Sequence, residues 1–468
     1  MRLLLLILAS LGSFSLIAED VSPFYDKIKS TEHGAKSLEI FEQIIAMPTV
    51  MGRGQELPMA KYLKSELLAA GFSAEHITIE EHNNAAVFVA RYKGDGTGND
   101  KPILLLAHMD VVEALEKDWV RPPFELTMDK DNFYGRGVAD NKLGVAMLVS
   151  TFIKLKKEGF TPNRDLIIAF TGDEETAQHN TAYLAGWPEL TNAEYALNTD
   201  AGGGTLAKDG TPLVYGIQSA EKTYATFELT ATNPGGHSSA PRVENAIYDL
   251  TAAVEKIGQY RFPTRQNSIT KQSYAITGKN LGGELGEAMI RFSEDPNDKE
   301  AADRLFIEPN YVGGTRTTCV PTKLRGGHAE NALPQSATAT INCRIFPDVA
   351  VDDVKNKLIE IVDNPEIAFV TLDDPKPSLA SELREDVEAA VAKAVHSRAP
   401  GVTLMPYMSP GTTDALYFRS AGVPTWGIGS TFMYGPSFAH GLNERIPVKS
   451  FYEGLNHWEI ILKELTSE

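Results

Sequence analysis

The sequence predicts an α/β fold: a central, mostly parallel sheet flanked by helices, plus an inserted ferredoxin-like α+β domain. Three observations carry this reading. Short apolar runs alternate with helical patterns over the first part of the chain, the order expected of a largely parallel sheet. Several runs read as buried strands and then stop at acidic residues, as in "KPILLLAHMD", "RDLIIAFTGDEE" and "EYALNTDAGGG". From about Gly216 the character changes, and the elements follow one another as β-α-β-β-α-β. A chain of 468 residues also exceeds one ordinary core, so two domains are the natural expectation.

Taken in order, residues 1–18 have one Arg, an apolar run and then small and polar residues. That is the layout of a cleavable secretory signal, too short for a membrane span. The expected product is exported, secreted or periplasmic, with no membrane span in the mature chain. The first part of the main domain is assigned to 19–216. Within it "GAKSLEIFEQIIAM" and "QELPMAKYLKSELLAAGF" have helical spacing, the second closing on Gly71. "NAAVFVARYK" and "KPILLLAHMD" are strands, and "LGVAMLVSTFIKLKKEGF" is a long helix. The inserted domain is assigned to 217–375. It holds "KTYATFELTAT", the helix "VENAIYDLTAAVEKI", two Cys-bearing strands, the helix "AVDDVKNKLIEIV" and the strand "EIAFVTL". Residues 264–310 fit neither pattern and read as extra helix and loop. The main domain resumes over 376–468.

Lys+Arg 44 against Asp+Glu 62 leaves a formal net charge of -18, which excludes an ordinary nucleic-acid partner because phosphate binding needs a basic surface. Only two cysteines occur, Cys319 and Cys343, too few for a zinc-finger ligand set. If their strands pair, they form one disulfide in an oxidising compartment; the alternative is two buried thiols. G-x-S-x-G is absent, which removes the commonest sign of a serine hydrolase.

His108 and Asp110 end a strand, and residues two apart on a strand share a face. Asp140 lies in the Gly-flanked loop "YGRGVAD" before a helix, Glu174 and Glu175 are adjacent at a strand end, Asp200 follows another strand, and His440 sits in a loop. Singly, each has a bland reading: a helix cap, a solvated turn, a loop histidine. Jointly, two imidazoles and several carboxylates from strand ends and loops form a mixed N/O ligand set. Such a set suits Zn2+, and less specifically Mn2+ or Co2+.

The motifs "AHMDVV", W-x-x-x-PF, "YGRGVADNK", "TGDEE", "PGGHSSAP", "NALP…CRIFP", "GTTDA" and "AHGLNE", in this order, strongly resemble the M20 family of co-catalytic metallopeptidases. The resemblance covers nearly the whole mature chain. It implies that His108 and Asp200 hold one metal, that Glu175 and His440 hold the other, and that Asp140 bridges both. It implies Asp110 as the acid that orients His108 and Glu174 as the general base. It further implies that the inserted domain is a lid and dimerisation domain whose His237 reaches the site of a partner subunit. Asn331 and Arg344 on that domain, with Gly411 and Thr412 of "PGTTDA", would bind substrate, Arg344 gripping a carboxylate. The expected activity is hydrolysis of peptide bonds in dipeptides or short peptides, of carboxypeptidase or dipeptidase type, by a homodimer. An N-acyl-amino-acid hydrolase is the alternative.

Overall fold

The strand Ile103–His108 lies in the interior of the largest sheet, and its composition explains why. Ile103, Leu105 and Ala107 enter a core shared with the helices Lys142–Lys157 and Val448–Thr466. Leu104 and Leu106 enter a second core with Leu184, Phe418 and Val423. Because alternate residues face opposite sides, a strand covered on both faces needs an unbroken apolar run. The computed structural model describes residues 27–98, 101–435 and 437–467; the expected leader, 1–18, lies outside them. Among the described residues, no helix is long and apolar enough to cross a membrane.

The large sheet runs in the order Ile77–His82, Ala85–Tyr92, Leu166–Thr171, Ile103–His108, Tyr195–Asn198, Thr425–Gly427, Pro212–Glu221, Gly203–Leu206 and Phe432–Tyr434, with Thr403–Ser409 also paired to Pro212–Glu221. Its centre is parallel: Leu166–Thr171, Ile103–His108, Tyr195–Asn198 and Thr425–Gly427 follow one another in the same direction. Antiparallel pairs join it on both sides, and Phe432–Tyr434 and Thr403–Ser409 add to the far flank in parallel. The register sets His108 beside Thr171 and Leu106 beside Asn198. Three neighbouring strands therefore end almost level, and the segments leaving them carry Glu174, Glu175 and Asp200. Ligands of parallel sheets bind at this end, because the strands release their following loops there.

The second sheet has the order Thr318–Gly326, Ser336–Ile345, Thr223–Thr232 and Ile367–Leu372, with every pair antiparallel. Helices Ala246–Gln259 and Val351–Val362 share its core through Leu250, Ile257, Val354 and Leu358, packed with Phe227, Leu229 and Ile341. That arrangement matches the ferredoxin-like order. Cys319 pairs with Cys343 in register and is joined to it by a disulfide.

One detail differs from the sequence reading. Gly216 does not end the first part of the main domain: the strand Pro212–Glu221 continues in the large sheet, and the chain crosses to the second sheet at Lys222. The glycine marks a close approach instead, since a Cβ there would stand 3.0 Å from the Tyr407 ring. Residues 264–310, read as extra helix and loop, hold the helices Ser268–Leu281, Gly283–Glu294 and Lys299–Phe306 and the start of Pro309–Val312, joined by short loops. They have their own small core around Tyr274, Met289, Phe292 and Leu305. Ile269 joins Ala220, Phe346 and Met408, so these helices brace the junction between the two sheets.

Candidate metal centre

His108 is 1% exposed at the end of its strand. Its Nδ1 stands 3.0 Å from the main-chain carbonyl of Asp110 and 3.5 Å from the Asp110 carboxylate. Both are acceptors, which places the imidazole proton on Nδ1 and leaves the Nε2 lone pair free. Nε2 faces Asp140 Oδ1 at 3.0 Å and Asp200 Oδ1 at 3.6 Å. The Asp110 carboxylate has a second task that its spacing from His108 does not suggest. Its two oxygens accept the backbone N–H groups of Glu174 (3.1 Å) and Glu175 (3.0 Å). Asp110 thus orients His108 mainly through its carbonyl and fixes the Glu174–Glu175 turn through its side chain.

His440 completes the opposite side. Its Nε2 lies 2.9 Å from Glu175 and 3.1 Å from Asp140 Oδ2. Each oxygen of Asp140 therefore faces a different imidazole. Asp140 precedes the helix Lys142–Lys157, but the cap is its neighbour: Asn141 Oδ1 accepts the Gly144 N–H. Asp140 is left free for the centre.

Glu444 was not assigned from the sequence, yet it joins the two motifs that hold Asp140 and His440. It is fully buried, four residues beyond His440, and accepts the backbone N–H groups of Gly137, Ala139 and Asp140 at 3.0, 2.7 and 3.0 Å. Arg136 pairs with it at 2.7 Å and donates to the Gly441 carbonyl at 3.1 Å. The charged members of "YGRGVADNK" and "AHGLNE" were the available signal.

Two groups of ligand atoms result, His108/Asp140/Asp200 and Asp140/Glu175/His440, with the atoms of each group within 4.8 Å of one another. Donors about 2.0–2.1 Å from a tetrahedral zinc stand about 3.4 Å apart. The separations of 2.9 to 3.6 Å between facing ligand atoms bracket that value, so the residues fit a pair of cations sharing Asp140. The electrostatics agree. Burial opposes ionisation of Asp140, but His108 and His440 outweigh it and hold its carboxyl well below the usual range. Burial and the neighbouring Asp140 push Asp200 up to about 7. Burial likewise raises Glu174 well above the usual carboxylate range, with Asp200, Asp414 and Asp110 adding to the effect against His108. Carboxylates outnumber imidazoles here, and divalent cations would offset the excess.

Glu174 faces no imidazole at ion-pair distance; its Oε1 accepts a hydrogen bond from Gln178 at 2.9 Å. The remaining expected residues lie apart from this group. His237 and Asn331 are exposed on the short pairing of Gly236–His237 with Ala332–Leu333. His237 Nδ1 contacts Ser239, and among the described residues its hydrogen bonds do not reach the metal-facing side chains. Arg344 stacks on Tyr224 at 4.5 Å and reaches the Pro410 carbonyl at 3.4 Å, beside the half-buried Gly411 and Thr412.

With this fold and site, the chain belongs to peptidase family M20/M25/M40, whose family model matches residues 104–464. It is a hydrolase of the peptidase and amidase type. It is 29% identical to the N-fatty-acyl-amino acid synthase/hydrolase PM20D1 of Bos taurus over 75% of this chain and 71% of that protein. It is 30% identical to a probable succinyl-diaminopimelate desuccinylase of Staphylococcus aureus over 73% of this chain and 75% of the relative. The fold matches the M20 family metallo-carboxypeptidase Sso-CP2 of Sulfolobus solfataricus with a TM-score of 0.70 at 21% identity, covering 92% of this chain and 99% of that one.

The charges set a pH dependence for the metal-stripped protein. Asp140 and Glu175 raise His440 from 6.5 to about 10, so its stabilising charge is present below 6.5 and is lost as pH rises toward 10. Asp200 and Glu444, both pushed up to about 7, oppose folding progressively as pH rises to that value and fully above it. Both effects have the same sign. Burial pushes Lys142 and Lys222 down to about 7, and relief of that cost at higher pH acts against this trend, so the site is read as a difference. In chelator-treated protein the melting-temperature advantage of the wild-type chain over His440→Gln is expected to shrink from about pH 6 to about pH 9, with added Zn2+ restoring it at the upper end. A pH-independent difference contradicts this electrostatic account.

Proposed function

We propose that this chain hydrolyses peptide bonds of dipeptides or short peptides, in carboxypeptidase or dipeptidase fashion, with two zinc ions as cofactor. The observation that carries the reading is Asp140 set between His108 and His440, with the buried Glu174, held through Gln178, beside them. His108, Asp140 and Asp200 would hold one ion; Asp140, Glu175 and His440 would hold the other. Bound there, the ions would activate water and polarise the scissile carbonyl. Glu174 accepts a proton from the attacking water and delivers it to the leaving amine, a task suited by its raised proton affinity. Gln178 occupies one Glu174 oxygen and leaves the other for that proton. Arg344, held by Tyr224 and Pro410 with no carboxylate at ion-pair distance among the described residues, receives the substrate's free carboxylate, with Asn331, Gly411 and Thr412 completing the pocket.

An N-acyl-amino-acid hydrolase is the second reading. It is favoured by the names of the relatives at 29 and 30% identity, and the bond broken and the carboxylate gripped are of the same kind. We also propose that the protein is exported, a reading supported by the leader-like residues 1–18 and the Cys319–Cys343 disulfide. A homodimer through the second sheet is supported by the edge strand Thr318–Gly326, which leaves Val320 and Leu324 more than half exposed, and by the outward-facing Tyr248. His237 would then act in the partner's site, donating to the developing oxyanion.

Two tests follow. Assayed on a panel of dipeptides and N-acyl amino acids with product identification, Glu174→Gln is expected to lose at least about a hundredfold in kcat while retaining its metals. Undiminished turnover removes Glu174 as the base. Equal mixing of Glu174→Gln with His237→Ala chains is expected to recover about a quarter of wild-type activity, since half the dimers are mixed and each holds one intact site. No recovery in a verified mixed dimer argues against shared sites.

A further inference from the structure

A chain of buried polar groups runs from the junction of the two sheets to the backbone of Asp200, and the mechanism above makes no use of it. Glu221, the last residue of the strand Pro212–Glu221, is fully buried and pairs with Arg419 at 3.0 Å. Its other oxygen accepts the Thr413 hydroxyl at 2.5 Å and the Gln218 amide at 3.0 Å. Thr413 Oγ1 in turn accepts the Asn198 side-chain amide at 3.0 Å and the Ala415 N–H at 3.2 Å. Asn198 Oδ1 then accepts the backbone N–H of Asp200 at 3.1 Å. Asn198, Thr413 and Arg419 are all at most 7% exposed.

The direction of every bond in this series is forced from one end. An ionised carboxylate only accepts, so Thr413 must spend its single hydroxyl proton on Glu221. Thr413 can then only accept from its other neighbours, which turns the NH2 side of Asn198 toward it. That leaves the Asn198 carbonyl facing Asp200, the one orientation in which the Asp200 N–H has a partner. Arg419 is a donor at every position, is held by two hydrogen bonds to the Thr425 carbonyl, and its charge 3.0 Å from Glu221 favours the ionised, accepting form against the burial that raises the carboxyl.

We propose that Glu221 is a positioning residue for Asp200, acting through the polarised Thr413–Asn198 relay. The proposal rests on the reading of Asp200 as a metal ligand. Glu221→Gln would reverse the polarity. Arg419 would claim the amide oxygen, the new NH2 would face Thr413, the Thr413 proton would turn to Asn198, and the flipped Asn198 amide would set a donor against the Asp200 N–H. The loop Ser409–Asp414 that carries Thr413 is also touched by Arg344 through Pro410. The relay therefore passes through the loop that borders the proposed carboxylate pocket.

The test is a calorimetric titration of Zn2+ into the chelator-treated full chain, with His440→Ala marking which binding event belongs to the Asp140/Glu175/His440 group. Thr413→Val and Glu221→Gln are each expected to weaken the other event by about tenfold or more and to leave the His440-dependent event unchanged. Thr413→Ser, which keeps the hydroxyl, is expected to restore it. Glu221→Gln removes no volume and carries the test alone if Thr413→Val does not fold. Unchanged affinities, or equal weakening of both events, overturn the relay. Absence of any Zn2+ binding by the wild-type chain overturns the metal-centre reading instead.

Discussion

Everything in this molecule answers to one electrostatic constraint: several carboxylates are gathered in a mostly buried space with too few cations of their own. Asp140 faces two imidazoles at once, one oxygen to each. Asp200, Glu174 and Glu175 crowd the same space, with Asp414 and Asp110 behind them. Such a cluster would spread apart unless a rigid scaffold opposed it and positive charge entered it. The parallel strands supply the rigidity. Their ends lie level and their apolar runs are locked between two cores; of the candidate ligands, His108 ends one strand and Glu175 and Asp200 follow two others within a few residues, while Asp140 and His440 come from loops.

The scaffold divides its acids into two kinds. Asp110 and Glu444 accept backbone N–H groups and hold loops in place: the Glu174–Glu175 turn for Asp110, and the Gly137–Asp140 segment for Glu444. Asp140, Glu175 and Asp200 face the imidazoles and keep lone pairs toward the centre. Glu174 belongs to neither kind. Fixed through its own N–H and one hydrogen bond from Gln178, it keeps a carboxylate whose burial favours the protonated form. A group that takes up a proton readily beside a site that activates water is what hydrolysis of an amide requires.

Much of this was legible in the sequence because it is local. An apolar run ending in His or Asp reads as a strand whose tip carries chemistry, and the five ligand positions all lie at such tips or in Gly-flanked loops. The resemblance to the M20 family then linked positions that spacing alone could not. What stayed hidden depends on contacts between distant segments. Glu444 serves backbone groups some 300 residues earlier, and no periodicity announces it. The carbonyl of Asp110, not only its carboxylate, meets His108 because the chain bends at the strand end, which a side-chain pattern does not record. Gly216 looked like a domain break, whereas it is a strand position pressed against Tyr407. The stretch 264–310 read only as extra helix and loop, because its division into separate helices around a small core of its own depends on contacts that the linear pattern does not record.

The central claim is that Asp140 is shared by two cations. Anomalous diffraction at the zinc edge from crystals of the Zn2+-saturated full chain tests it most directly. The account predicts two peaks flanking Asp140, one beside His108 and Asp200 and the other beside Glu175 and His440, both diminished in Asp140→Asn. A single peak, or peaks that leave Asp140 uncoordinated, would contradict it.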